Sequence, residues 1–150
     1  MDNDNSDHLT WEWNSGPIGR TVKVAYVTLR REVEAQLKPI GITHTQWSVL
    51  GIIHYFPGIT SSELEQILLI ERPSVTSLIN GLVKNGWAIR RDHPTDGRYK
   101  QIFLTDEGTK LAIQTQDLSN IVDRRVREGM TPEEFETLKK LLKKMIGLFK

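Results

Sequence analysis

Residues 71–105, "ERPSVTSLINGLVKNGWAIRRDHPTDGRYKQIFLT", run a helical segment straight into two strand-like stretches around a loop of His, Pro, Asp, Gly and Arg. Val75, Leu78, Ile79 and Leu82 recur at helical spacing and form one apolar stripe. The opposite face carries Pro73, Ser77, Asn80, Gly81 and Lys84, flanked by Ser74 and Thr76. Short hydrogen-bonding side chains on that face would let the helix lie deep in a groove. "KNG" ends the helix, with Gly86 as its cap, and "WAIRR" and "YKQIFL" read as strands on either side of "DHPTDG". The stretch therefore predicts a helix followed by a β-hairpin, both addressed to something outside the protein.

Charge supports the same reading. The 150-residue chain has a formal net charge of only +1, yet between Arg72 and Lys100 six cationic side chains face just two acidic ones, Asp92 and Asp96. That segment is net +4 and the remainder net −3, so the positive charge is gathered where a polyanion would be met. Composition is that of one soluble globular domain, 38% hydrophobic and 26% charged. No apolar run approaches the roughly 18 residues that suggest a membrane span. The N-terminus "MDNDNSDH" is acidic, unlike a secretory signal, and a cytoplasmic protein is expected. With no cysteine, disulfides, thiolate zinc sites and cysteine nucleophiles are excluded. His8, His44, His54 and His93 lack close ligand spacing, so no metal or cofactor is expected, and core, surface or capping roles account for them.

Outward from the central stretch, helix starts are marked by Thr followed three residues later by Gln or Glu. Thr43 with Gln46, Thr60 with Glu63, and Thr131 with Glu134 each fit a capping box, and Pro132 suits a first helical position. A first helix carries Ile18, Val22, Tyr26, Leu29 and Val33 and is closed by Pro39 and Gly41; Trp47, Leu50 and Ile53 mark the next. "PGIT" turns into a short helix with Leu64, Ile67 and Leu68, joined by "LIERPS" to the helix of the opening stretch, as in a helix-turn-helix. Thr105 is expected to cap a long helix reaching about Glu128, with Leu111, Leu118, Ile121, Val122 and Val126 as its stripe. The last helix repeats Phe135, Leu138, Leu142, Met145 and Phe149 in a coiled-coil-like seam, more apolar surface than so small a lobe can cover. Dimerisation through the chain ends, with Ile18, Val22, Leu138, Leu142, Met145 and Phe149 at the interface, follows from that excess. Trp11 and Trp13 in "TWEW" are expected to pack an N-terminal arm onto the dimer.

This order of elements resembles the MarR (multiple-antibiotic-resistance regulator) family of transcription factors. "GWAIRRDHPTDGRYKQIFLTDEG" is similar to the family wing and "SSELEQILLIERPSVTSLINGLVKNG" to its helix-turn-helix. The resemblance covers nearly the whole chain and implies a mainly α fold with a small β-hairpin wing: one domain over 1–150, with a winged helix-turn-helix lobe at about 43–104 and dimerisation helices at about 9–38 and 105–150. It also implies a homodimer on a pseudopalindromic DNA operator, most often as a repressor, with Arg98 entering the minor groove and Asp96 orienting it. Gly97 stands where many members have a basic residue, and Glu71 where many have Ser or Thr.

Residue chemistry divides the candidate contacts. Arg72, Ser77 and Asn80 suit base edges; Ser74, Thr76 and Lys84 suit phosphates; Arg90, Arg91, Arg98 and Lys100 supply electrostatic attraction. For the helix face the plain alternative is a solvated polar surface, and for the hairpin a set of local salt bridges. Tyr26, His44, Trp47 and His54 are candidates for holding the small aromatic or phenolic effectors that the resemblance brings with it, against ordinary aromatic packing. An enzyme is not expected: there is no nucleophile elbow, Gly-rich phosphate loop or marked carboxylate pair. The remaining alternative is a winged-helix module that docks a protein, which would need an apolar anchor on the outer helix face.

Overall fold

A computed structural model of the chain describes residues 16–150. His8, Trp11 and Trp13, and with them the start of the expected arm, lie outside the described residues. Among the described residues seven α-helices and three short strands follow in order: α1 Ile18–Leu37, α2 His44–Tyr55, β1 Ile59–Thr60, α3 Ser61–Leu68, α4 Arg72–Lys84, β2 Ala88–Asp92, β3 Lys100–Leu104, α5 Asp106–Thr115, α6 Leu118–Glu128 and α7 Pro132–Gly147. They form two compact units: Leu37–Ile121 is one, and Val122–Lys150 with the described residues up to Gln36 is the other.

The three capping boxes all form. Thr43 Oγ1 accepts from Gln46 N at 3.1 Å while Gln46 Oε1 accepts from Thr43 N at 3.0 Å. Thr60 and Glu63 exchange bonds of 3.3 and 2.8 Å, and Thr131 and Glu134 bonds of 3.1 and 2.9 Å. Each satisfies amides the helix start would leave orphaned, a contribution of about 0.5–2 kcal/mol per cap. α1 closes through a 3-10 turn, Lys38–Ile40, into Gly41, whose φ of 84° needs a residue without a β-carbon.

Within the unit from Leu37 to Ile121 the core is assembled from Val49, Leu50 and Ile53 of α2, Leu64 of α3, Val75, Ile79 and Leu82 of α4, and Ala112 of α5. Of the short third helix's three apolar residues, only Leu64 is buried; Ile67 is exposed. The strands pair antiparallel in the order β1-β3-β2, with Ala88 opposite Leu104 and Asp92 opposite Lys100 in the hairpin. β1 is an element the sequence pattern does not announce: Ile59 pairs with Ile102 and Thr60 with Gln101, adding a third strand where only a turn was expected. The hairpin strands are also shifted against expectation, since Trp87 and Tyr99 lie outside them and Asp92 within.

A second departure concerns the long helix expected from Thr105 to about Glu128, which is two helices. Thr115 turns its hydroxyl back to the Leu111 carbonyl at 2.8 Å, and Asp117 starts the next helix by accepting from Asn120 N at 3.1 Å and Ile121 N at 3.2 Å. At the break Gln116 N turns to the Ile113 carbonyl at 3.4 Å, and the Thr115 carbonyl accepts from the Trp47 indole N–H at 3.0 Å.

The unit built on α1, α6 and α7 has a thin core. Phe135 is buried with the Arg127 guanidinium 4.0 Å from its ring centroid, Val33 is buried on α1, and Arg125 Nη1 pairs with Glu32 Oε1 at 2.7 Å. Of the residues expected at a dimer interface, Ile18, Leu138, Leu142 and Phe149 are exposed, Phe149 at 88%, while Val22 and Met145 are half-buried. Among the described residues no helix is long and apolar enough to cross a membrane.

Candidate nucleic-acid interface

α3 and α4 are joined by Leu69, Ile70 and Glu71, with Leu69 held at a φ of 56° to make the sharp turn. Glu71 caps α4 by backbone geometry, and its side chain makes no cap bond. Because Val75, Ile79 and Leu82 are locked inside, Arg72, Ser74, Thr76, Ser77, Asn80 and Lys84 emerge on the outer side of α4, where all six are exposed. The helix ends in a Schellman turn: Gly86 at φ 77° donates to Val83 O at 3.0 Å and Trp87 N to Leu82 O at 3.0 Å.

Two of these side chains are tied to neighbours. Arg72 Nε donates to Glu65 Oε1 of α3 at 3.1 Å, which restrains the guanidinium at the helix start. Arg90 of β2 donates through Nη2 to Asn80 Oδ1, so the Asn80 amide is oriented with its NH2 group free of that bond. Helix and hairpin are thereby coupled through the pair most central to the face.

On the hairpin, Arg90, Arg91, Arg98 and Lys100 are all exposed. Lys100 pairs with Asp92 across the strands, and the Arg91 guanidinium lies 5.0 Å from the Phe103 ring centroid. At the tip Asp96 holds Arg98 in a fork: Nε to Oδ1 at 3.0 Å, Nη2 to Oδ2 at 2.8 Å, with the Arg98 backbone N–H on Oδ1 at 3.1 Å. The Arg98 side chain is 83% exposed all the same, so the bonds orient it without burying it. Hydrogen bonds from the Arg98 side chain and then its backbone hold the Asp96 carboxyl below its ordinary value of 3.8. A depressed carboxylate pKa means the pairing is fully present above 3.8 and is lost only as the pH falls through the lowered value. The fork is therefore intact across the neutral and mildly acidic range.

Two of the expected effector residues share one cavity. Trp47 and His54 of α2 line a cavity of about 490 Å3 with Tyr55, Ala112, Thr115 and Asn120. The Trp47 indole N–H donates to the Thr115 carbonyl at 3.0 Å, which makes it a fixed wall. His44 meets the Trp47 ring edge-on at 5.3 Å but does not line the cavity, and Tyr26 belongs to the other unit and is exposed. Among the described residues no group of three or more His, Asp and Glu is placed to hold a metal ion.

Sequence reasoning missed Glu65 and His93 as members of this surface. Glu65 lies seven positions before Arg72 with no local signal linking them. His93 was legible only as a capping type, and its neighbours "PTD" were the available hint.

Comparison with known proteins agrees with this geometry. A family model described as MarR family matches residues 40–98. The multiple antibiotic resistance protein MarR of Escherichia coli K12 is 30% identical over 131 residues, 87% of this chain and 91% of that protein. A crystal structure of a mutant of E. coli MarR complexed with operator DNA superposes with a TM-score of 0.80 at 30% identity, covering 86% of this chain and 93% of that one. The Staphylococcus aureus MepR–DNA complex shares the fold at a TM-score of 0.84, with 22% identity over 91% of this chain and 100% of that one. The helix-turn-helix with its forked wing tip, and the extent of these matches, place the chain in one family: it belongs to the MarR family.

Proposed function

We propose that the protein is a sequence-specific regulator of transcription that binds duplex DNA as a homodimer and acts as a repressor. The observation that carries this reading is the polar outer face of α4 leading into a basic hairpin whose Arg98 is already aimed by Asp96. The E. coli MarR and MepR complexes with DNA support it. Each α4 would enter a major groove, with half-sites one helical turn apart, ~34–36 Å. Ser77, Asn80 and Arg72 read bases, Ser74, Thr76 and Lys84 meet phosphates, and Arg98 reaches the minor groove between the flanking phosphates. The outer face of α4 has no aromatic side chain to anchor a protein partner, which speaks against the docking-module alternative.

Two chains are required because the unit of α1, α6 and α7 leaves Ile18, Leu138, Leu142 and Phe149 exposed. An isologous interface of these faces would bury them. Leu142→Asp places a charge in that interface and is expected to yield monomers; light scattering checks this, and a variant that keeps the dimer mass contradicts the placement. A small aromatic effector in the cavity beside Trp47 and His54 would regulate by binding one arrangement of the dimer better than another.

Asn80→Ala is the direct test of base reading. Because Arg90 occupies Oδ1, the amide keeps its NH2 donors free of that bond, and its removal is expected to relax preference at one base pair per half-site by about 1–3 kcal/mol. Binding measured on a series of single-base duplex variants would show the loss confined to one position. A uniform loss on every duplex would reduce Asn80 to a positioning contact.

A further inference from the structure

The wing tip is closed from the inside by a histidine. His93 N donates to Tyr99 O and Tyr99 N to Asp96 O, each at 3.1 Å, which brings the two sides of the tip together. Within that frame the His93 ring folds back on the chain. Its Nδ1 stands 3.2 Å from the backbone nitrogens of both Thr95 and Asp96, and 3.2 Å from Thr95 Oγ1. Pro94 has no N–H to offer, so these are the first two amides the side chain can reach. Backbone N–H groups only donate. Two of them converging on Nδ1 are both satisfied only where a lone pair stands there, as in the ring tautomer that carries its proton on Nε2.

The effect of this arrangement reaches the arginine at the tip. The amide that His93 fixes is that of Asp96, whose carboxylate takes the Arg98 Nε, Nη2 and backbone N–H. His93 thus stands directly behind the fork that aims the guanidinium. An arginine whose rotamer is already restrained loses less freedom on binding than one that is free. An exposed loop can hold that restraint only if its own backbone is held.

We propose that His93 is a positioning residue for DNA recognition: its Nδ1 acceptor fixes the tip turn from which Asp96 presents Arg98. The proposal rests on the DNA-binding reading above and goes beyond it by naming a residue that need not touch DNA. The competing role for a histidine here is a cation for phosphate, and the two make opposite demands. The acceptor role needs the neutral ring; the cationic role needs the protonated one. Charged side chains on the hairpin are Arg90, Arg91, Asp96, Arg98 and the Asp92–Lys100 pair. Protonation at Nδ1 would set a donor against the Thr95 and Asp96 amides, whereas phosphate would favour it. A simple pH series mixes both, and substitution separates them.

The test is a fluorescence anisotropy titration of the full chain against a duplex selected from a random pool. The variants are His93→Ala, His93→Asn, His93→Lys, Arg98→Ala and the His93→Ala/Arg98→Ala double. Asn supplies a neutral side-chain oxygen able to bond backbone N–H groups two residues on, and Lys supplies charge without an acceptor. His93→Ala is expected to weaken specific binding roughly threefold to tenfold. Asn should restore most of that loss and Lys should not. In the Arg98→Ala background His93→Ala should add nothing, since a residue acting through Arg98 has no further effect once Arg98 is gone.

Additive losses in the double variant, or restoration by Lys and not by Asn, would overturn the proposal. If Arg98→Ala weakens binding and His93→Ala leaves it unchanged, the proposal fails while the DNA-binding reading stands. If the wild-type chain selects no duplex at all, both fail together.

Discussion

Gly108→Ala is expected to destabilise the helix-turn-helix lobe by about 3 kcal/mol or more, the upper end of what overpacking a rigid site costs. Gly108 is buried in the first turn of α5, and a β-carbon there would stand 2.0 Å from the Trp87 carbonyl oxygen and 2.9 Å from its carbon. Both atoms are backbone, so no rotamer change relieves the clash. The same carbonyl accepts from Thr105 N at 3.0 Å, while Thr105 Oγ1 donates to Gly86 O at 2.6 Å and accepts from Gly108 N at 3.1 Å. Moving Trp87 away to admit a methyl group would open this clasp, which joins the end of α4 to the start of α5. A urea denaturation curve should show the midpoint fall sharply, and DNA binding should fall with it because the wing is rooted at Trp87. A stability within 0.5 kcal/mol of the parent, roughly the range of ordinary surface changes, would mean the junction yields more easily than its geometry indicates.

Arg98→Ala is expected to weaken specific DNA binding roughly tenfold to a hundredfold, the range of one good groove contact, without changing thermal stability. The guanidinium is exposed, paired with Asp96 and 5.9 Å from the Tyr99 ring centroid, so the folded chain is little affected when it is removed. The same substitution should flatten the salt dependence, the slope of log affinity against log salt changing by about 0.9 for each phosphate that is no longer neutralised. Titration of both proteins at several salt concentrations reads affinity and slope together. Gly97 beside it has no charge with which to compensate. Equal affinities at every salt concentration would remove Arg98 from the interface.

What could be read in the sequence was what local chemistry decides. Thr with Gln or Glu three residues on made three capping boxes that form as expected, because both partners lie within one turn. The stripe of Val75, Ile79 and Leu82 sets which side of α4 faces outward, and with it the candidate contact residues. β1 was not legible: two residues are too few to show alternation, and Ile59 becomes a strand only by pairing with Ile102, far along the chain. The break at Gln116 and Asp117 was hidden because apolar spacing continues across it from Leu111 to Leu118, while the Trp47 indole on the Thr115 carbonyl comes from far away in the sequence. At the site the residue types were legible and their pairings were not. Arg72 with Glu65, Arg90 with Asn80 and His93 with the tip amides depend on where side chains meet after folding. Gly108 could be noted as part of the wing pattern, but its reason is the Trp87 carbonyl, which only the fold brings against it.

Selection of bound duplexes from a random pool, with the mass of the selected complex determined by light scattering, asks directly whether two copies of this chain read one DNA sequence. The expected result is a pseudopalindromic sequence with half-sites one helical turn apart, carried by a complex of two chains and one duplex. Binding without sequence preference that disappears as salt rises, or a complex holding a single chain, would contradict it.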